Sequence, residues 1–161
     1  MIEYQGYNIK NVTLENLYRL LKSVGKANAL IATTTVGDIF EVDLVETSYP
    51  ILHVGTSSAS YGLNTLTYSF QLIVMDLVDK DEANEEEVLS DTLQIIGDIL
   101  SAIRHADDSD YTDFRHIIRI DDNISCEPYT DRFDNEVSGW TATISIEVDF
   151  DASACSGQLP T

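Results

Sequence analysis

The chain has 161 residues, 43% hydrophobic and 9% aromatic, with 28 Asp and Glu against 9 Lys and Arg and a formal net charge of −19. That length and composition fit one globular domain able to bury its own core, and they argue against disorder. The acid excess argues against an electrostatic nucleic-acid binder and against docking on an anionic membrane, since both need Lys and Arg.

The first predicted element is a helix. Thr13 can cap it, Leu14, Leu17, Leu20, Leu21 and Val24 fall at three- and four-residue spacing, and Gly25 is placed to end it in the left-handed region. Extended runs follow at 29–35 and 39–45, joined by a turn at Val36-Gly37-Asp38. Tyr49 to Val54 reads as a third strand, at an edge or at a strand start because Pro50 cannot donate to a ladder. Gly55 to Gly62, all small residues apart from Tyr61, reads as a loop.

Leu66 to Val78 is the longest strand pattern. Leu66, Tyr68, Phe70, Leu72 and Val74 share one face, and the other turns apolar at Ile73 and Met75, which predicts cover on both sides there. A second helix is predicted from Asn84 to His105, with Asn84 as cap, Glu87 as capping-box partner and an apolar stripe from Val88 to Ile103. The remainder reads as strands at 114–120, 124–133 and 139–150. In the last, Trp140, Ala142, Ile144, Ile146, Val148 and Phe150 alternate with polar residues. Residues 152–161 lack periodicity and are expected to be flexible or partner-bound.

This order predicts an α+β fold: a largely antiparallel sheet with two helices on one face, in a single domain over residues 1–151. No apolar run approaches the ~20 residues that span a bilayer. The opening Met1-Ile2-Glu3-Tyr4-Gln5 lacks the basic start and apolar stretch of a signal peptide, so synthesis in the cytoplasm is expected. Cys126 and Cys155 are expected as reduced thiols, and no CxxC or Cys/His cluster points to zinc.

Two acidic segments invite a metal reading. In the first, Asp76, Asp79, Asp81, Glu82, Glu85, Glu86, Glu87 and Asp91 meet Lys80 alone, but the spacing misses the calcium-loop template, and a helix N-terminus favours acids anyway. In the second, Asp107, Asp108, Asp110 and Asp113 also fail that template and read as a solvated loop. A metal-dependent enzyme built on this second cluster is the alternative from another class. His53, His105 and His116 are scattered, and no local signature pairs one with Cys126 for nucleophilic catalysis. The expectation is a protein that is not an enzyme and holds no cofactor or metal.

The stretch from Pro128 to Trp140 joins two strands through the polar turn Asp134-Asn135-Glu136, with aromatics at Tyr129, Phe133 and Trp140. Together with Met75-Asp76-Leu77-Val78-Asp79-Lys80-Asp81 and Asn84-Glu85-Glu86-Glu87-Val88-Leu89-Ser90-Asp91-Thr92, the run Arg132-Phe133-Asp134-Asn135-Glu136-Val137-Ser138-Gly139-Trp140 resembles a family of neck proteins of tailed bacteriophages, of the tail-terminator, tail-completion or head–tail ring kind. The resemblance covers roughly residues 60–155, and its motifs are structural. It implies a tail-terminator-like fold and a virion protein at the head–tail junction, assembled as a homo-oligomeric ring of six or twelve copies against the portal or connector and the tail tube. A connector or completion protein directly beneath the portal is the neighbouring alternative. Closed rings join unlike surfaces. The candidate subunit contacts are Arg132, Phe133, Asp134, Asn135, Glu136 and Trp140, together with strand edges and the tail after Phe150. DNA would pass through without specific binding. Asp107, Asp108, Asp110 and Asp113, or the acids of 79–87, are candidates to line that channel and repel phosphate; solubility of the free subunit is the competing reason for the acids.

Overall fold

Two long strands with period-two alternation organise the molecule. The computed structural model describes residues 2–4, 7–9, 12–38, 48–79, 81, 83–105, 118–129 and 137–150. In chain order these form β1 (Ile2–Tyr4), β2 (Tyr7–Ile9), α1 (Leu14–Ala27), β3 (Thr33–Val36), β4 (Ile51–Tyr61), β5 (Thr65–Leu77), α2 (Glu85–Arg104), β6 (Ile118–Ile120), β7 (Cys126–Tyr129) and β8 (Val137–Asp149). β1 and β2 make a small antiparallel pair that the sequence pattern did not predict. The main sheet runs β3-β4-β5-β8-β6, with β7 also on the outer edge of β8. All its pairings are antiparallel except β3 with β4. The architecture is therefore the expected α+β one.

β5 and β8 pair along their whole length, from Thr65 opposite Asp149 to Leu77 opposite Val137. Strand side chains alternate between faces, so this register puts Leu66, Tyr68, Phe70, Leu72 and Val74 beside Ala142, Ile144, Ile146 and Val148. The apolar faces of α1 and α2 close over them in one core, with Phe70 at 0% exposure. On the opposite face, Ile51, Ile73, Met75 and Val137 form a second buried cluster, so the sheet is covered on both sides near this end, as the apolar turn of the pattern predicted.

Several local expectations are corrected. Thr13 caps α1 as predicted, in a reciprocal box with Asn16 (Asn16 N to Thr13 Oγ1, 3.2 Å; Thr13 N to Asn16 Oδ1, 3.0 Å). Gly25, however, does not end the helix, which continues to Ala27. Gly25 is buried where α1 crosses the sheet, and a Cβ there would lie 2.5 Å from Thr34 Oγ1 and 2.9 Å from Leu52 Cδ2. Close approach, not a turn, selects this glycine.

Asn84 precedes α2, but its side chain makes no cap bond; Oδ1 instead accepts from the N–H of Asp79 at 2.7 Å, tying down the loop after β5. The run at 29–35 is strand only from Thr33, because residues 29–32 turn in from α1. Pro50 stands just before β4, the strand-start placement of the two expected; the first residues of β4 are interior, between β3 and β5, so the edge placement does not hold. Gly55 to Tyr61 is not a loop but the second half of β4, because pairing with β5 supplies the ladder that small residues do not favour by themselves. The predicted strand at 39–45, the first part of that at 114–120, the turn at 134–136 and the tail 152–161 lie outside the described residues.

The Gly25 contact gives a test. Gly25→Ala is expected to lower the unfolding free energy by about 1–3 kcal/mol through overpacking. Adding Thr34→Ala, which removes both nearest atoms of that side chain, is expected to restore part of the loss. Urea denaturation of the three variants reads this directly.

Candidate functional site

The polar feature with the most internal structure lies where β3 stops. Gly37, at φ +121°, turns the chain away after its N–H has donated to Val54 O at 3.0 Å. Beyond this point the edge of β4 has no neighbour on the β3 side among the described residues. The result is a cleft of about 420 Å³ between Tyr18 of α1 and the β4–β5 surface, with His53, Gly55, Gln71 and Ile73 on its wall and Asp38 beside them. The Tyr18 hydroxyl hydrogen-bonds Thr56 Oγ1 across it.

His53 is 1% exposed. Its Nε2 lies 2.9 Å from the Gly37 carbonyl, which can only accept, so Nε2 carries the proton. Nδ1 is then the acceptor for the Thr35 hydroxyl at 2.7 Å. Burial holds the ring below its ordinary titration range, against smaller opposing effects of the Gly37 carbonyl and Asp38. Both nitrogens are engaged, so His53 works here as a staple on the end of β3 and is not poised as a base or ligand.

Elsewhere, Cys126 is a half-buried free thiol that burial pushes toward the neutral form. His105 donates from Nδ1 to the Ser101 carbonyl at 2.9 Å. Among the described residues no three His, Cys, Asp or Glu converge to hold a metal, and no helix is long and apolar enough to cross a membrane.

The structure brings together three sequence segments singled out above. Met75, Asp76 and Leu77 pair with Gly139, Ser138 and Val137, where β5 and β8 meet. The N-terminal turns of α2 lie over this corner: Ser138 Oγ donates to Glu85 Oε1 at 3.2 Å, and Trp140 Nε1 donates to the Leu89 carbonyl at 2.7 Å. A Cβ on Gly139 would lie 1.8 Å from the Val74 carbonyl oxygen, so only glycine fits. Asp76 is held above the usual carboxylate range by burial, with Asp91 adding to it and the Leu77 N–H opposing.

Of the candidate contact residues, Trp140 is therefore half-buried and bonded to α2, while Arg132, Phe133, Asp134, Asn135 and Glu136 lie outside the described residues, as do Asp107, Asp108, Asp110 and Asp113. Of the acids at 79–87, Asp79, Asp81, Glu86 and Glu87 are exposed, and Glu85 is occupied by Ser138.

The sequence reading missed the β4–β5 arm. Its tip carries Leu63 at 94% exposure, and Tyr61 beside it is 69% exposed while stacking edge-on against Phe150 at 5.1 Å. The Phe150 N–H donates to the Asn64 carbonyl at 2.9 Å, fixing the tip to the end of β8.

No protein-family model matches the chain, and no curated protein matches it.

Two outcomes test these assignments. A histidine kept neutral in the fold stabilises fully above its unfolded pKa of 6.5, and that contribution is lost as pH falls below it. Between about pH 7.5 and 5.5 the wild type should lose stability relative to His53→Gln, by no more than about 1.4 kcal/mol per pH unit for one proton. Urea titrations at the two pH values give the difference. Trp140→Phe keeps an aromatic ring but deletes the donor to Leu89, and an unfolding free energy lower by about 1 kcal/mol is expected, followed by circular dichroism.

Proposed function

We propose that this chain is a structural virion protein of a tailed bacteriophage, forming an oligomeric ring at the head–tail interface as a tail terminator or closely related neck ring. In that role it joins the tail to the portal or connector above and leaves a passage for DNA. The observation that carries the reading is the meeting of the resembling segments. Met75–Leu77 and the first turns of α2, near one another in the chain, meet the distant Val137–Trp140 part of the third stretch at one corner of the sheet. Residues that resemble a family as scattered motifs thus form one packed unit.

Other features support a role in assembly. The β4–β5 arm displays Leu63 and Tyr61, apolar groups of the kind that a neighbouring subunit covers. β6 and β7 are short strands end to end on β8, so that border of the sheet is irregular and resists open-ended strand addition. The acid excess suits a subunit that stays soluble before assembly and a passage that does not hold phosphate.

Quantitative mass spectrometry of purified virions tests the proposal. A fixed ratio of this chain to the portal protein, equal to or half the portal's copy number, is the expected result. Absence of the chain from the particle removes the reading.

A further inference from the structure

We propose that residues 152–161 lie as an added strand on the open edge of β4 in the same chain, antiparallel to it, with Leu159 at the cleft beside Thr56. The pairing stands independently of the ring reading.

Among the described residues the outer half of β4 is paired on one side only. β5 accompanies it from Ile51 to Tyr61, but β3 stops at Val36, opposite Val54. Up to that point the carbonyls of Pro50 and Val54 accept from the N–H groups of Ala32 and Gly37 on the β3 side, at 2.9 and 3.0 Å. Backbone groups alternate along a strand, so Thr56 is the next residue to present its N–H and C=O outward. The extra residue at Ser57 shifts the alternation by one, and beyond it Ala59 and Tyr61 face that way. Every residue from Thr56 to Tyr61 is exposed.

Sheets protect such an edge with charged side chains, with proline, with a bulge or by covering it. Here the bulge at Ser57 is present, but residues 47–75 hold no Asp, Glu, Lys or Arg, in a chain with 28 acids and 9 bases, and no proline follows Pro50 along β4. Cover is the device that remains.

The end of β8 brings a segment to this edge. The Phe150 N–H donates to the Asn64 carbonyl at 2.9 Å and its ring meets Tyr61 at 5.1 Å, so the chain leaves β8 at the tip of the arm. β4 and β8 both run toward that tip, on either side of β5. A segment that turns over the tip therefore runs back along β4 in the antiparallel sense. The nine residues from Asp151 to Leu159 extend about 30 Å at ~3.3 Å each. The path takes about 10 Å across two strand spacings and about 17 Å from Tyr61 back to Thr56. Leu159, the large apolar residue of the segment, then arrives at the cleft whose wall holds Tyr18 and Ile73. Residues 152–161 carry no charge, so the pairing brings no acid to the neutral edge.

Two other occupants are less favoured. The chain leaves the cleft at Asp38 and is met again at Ser48, whose carbonyl accepts from Thr33 Oγ1 at 2.8 Å, at the far end of β3 from the open edge. A second copy can offer the same residues, but the chain's own segment starts beside the edge and competes at high effective concentration.

The test uses the full chain. Amide hydrogen exchange is followed by NMR in the wild type, in Ser156→Pro with Gly157→Pro, which removes two adjacent donors, and in Leu159→Asp. All these changes lie beyond the last strand of the core, and the amide of the buried Phe70 reports that the fold is intact. The amides of Thr56 and Ala59 are expected to be protected in the wild type and to exchange roughly tenfold faster or more in both variants, with Phe70 unchanged. Free exchange of Thr56 and Ala59 in the wild type overturns the pairing. So does protection that either variant retains, which gives the edge to another occupant. Protection that falls on dilution also overturns it, and assigns the edge to a second copy.

Discussion

The register between β5 and β8 is the constraint on which the rest of the molecule depends. Because side chains alternate with period two, a slip of one residue would send Phe70, Leu72 and Ile144 to the wrong face and bring Gln71 and Thr143 under the helices. The register is held at one end by the Phe150–Asn64 bond and at the other by the close fit of Gly139 against Val74. Along its length it is held by apolar side chains that have one dry side to occupy. The placement of α2 follows from it, since Ser138 and Trp140 reach Glu85 and Leu89 only from this alignment.

The same constraint sets where the helices lie. α1 covers the β3–β4 side of the sheet and α2 the β5–β8 side. Their buried stripes share one core. The buried polar groups in this frame have partners: Thr92 bonds back to Val88, Asn16 closes the α1 cap, and His53 joins Thr35 to Gly37. Among the described residues the buried polar side chains, Ser138 included, are thus bonded.

What could be read in the sequence was what depends on neighbours along the chain. The alternations of β5 and β8 and the stripes of both helices are local periodicities, and they gave the fold class and the main core. What was misread depends on distant residues. Gly25 carries the composition of a helix stop, yet Thr34 and Leu52 are what require it. Gly55 to Ser60 has the composition of a loop and becomes strand because β5 offers a partner. The parallel pairing of β3 with β4 has no local mark, and neither does the exchange of Asn84 from helix cap to loop tether. Of the candidate contacts, Trp140 was legible as a terminal aromatic, but its bond to Leu89 was not. The exposure of Leu63 depends on how far the arm extends, which no single window of sequence expresses.

The irregularity in β4 has a consequence for how the arm can vary in length. Thr56 pairs with Phe70 and Ser58 with Ser69, leaving Ser57 as an extra residue whose hydroxyl donates to the Ser69 carbonyl. Had Ser57 instead been paired with Ser69 in an unbroken ladder, Ser58 and Ser60 would turn inward and Tyr61 would swing away from Phe150. As built, removal of Ser57 alone leaves every later residue on its present face. The strand therefore has one site, Ser57, where loss of a single residue is absorbed without inverting the tip, whereas length changes elsewhere in the arm keep their facing only in steps of two.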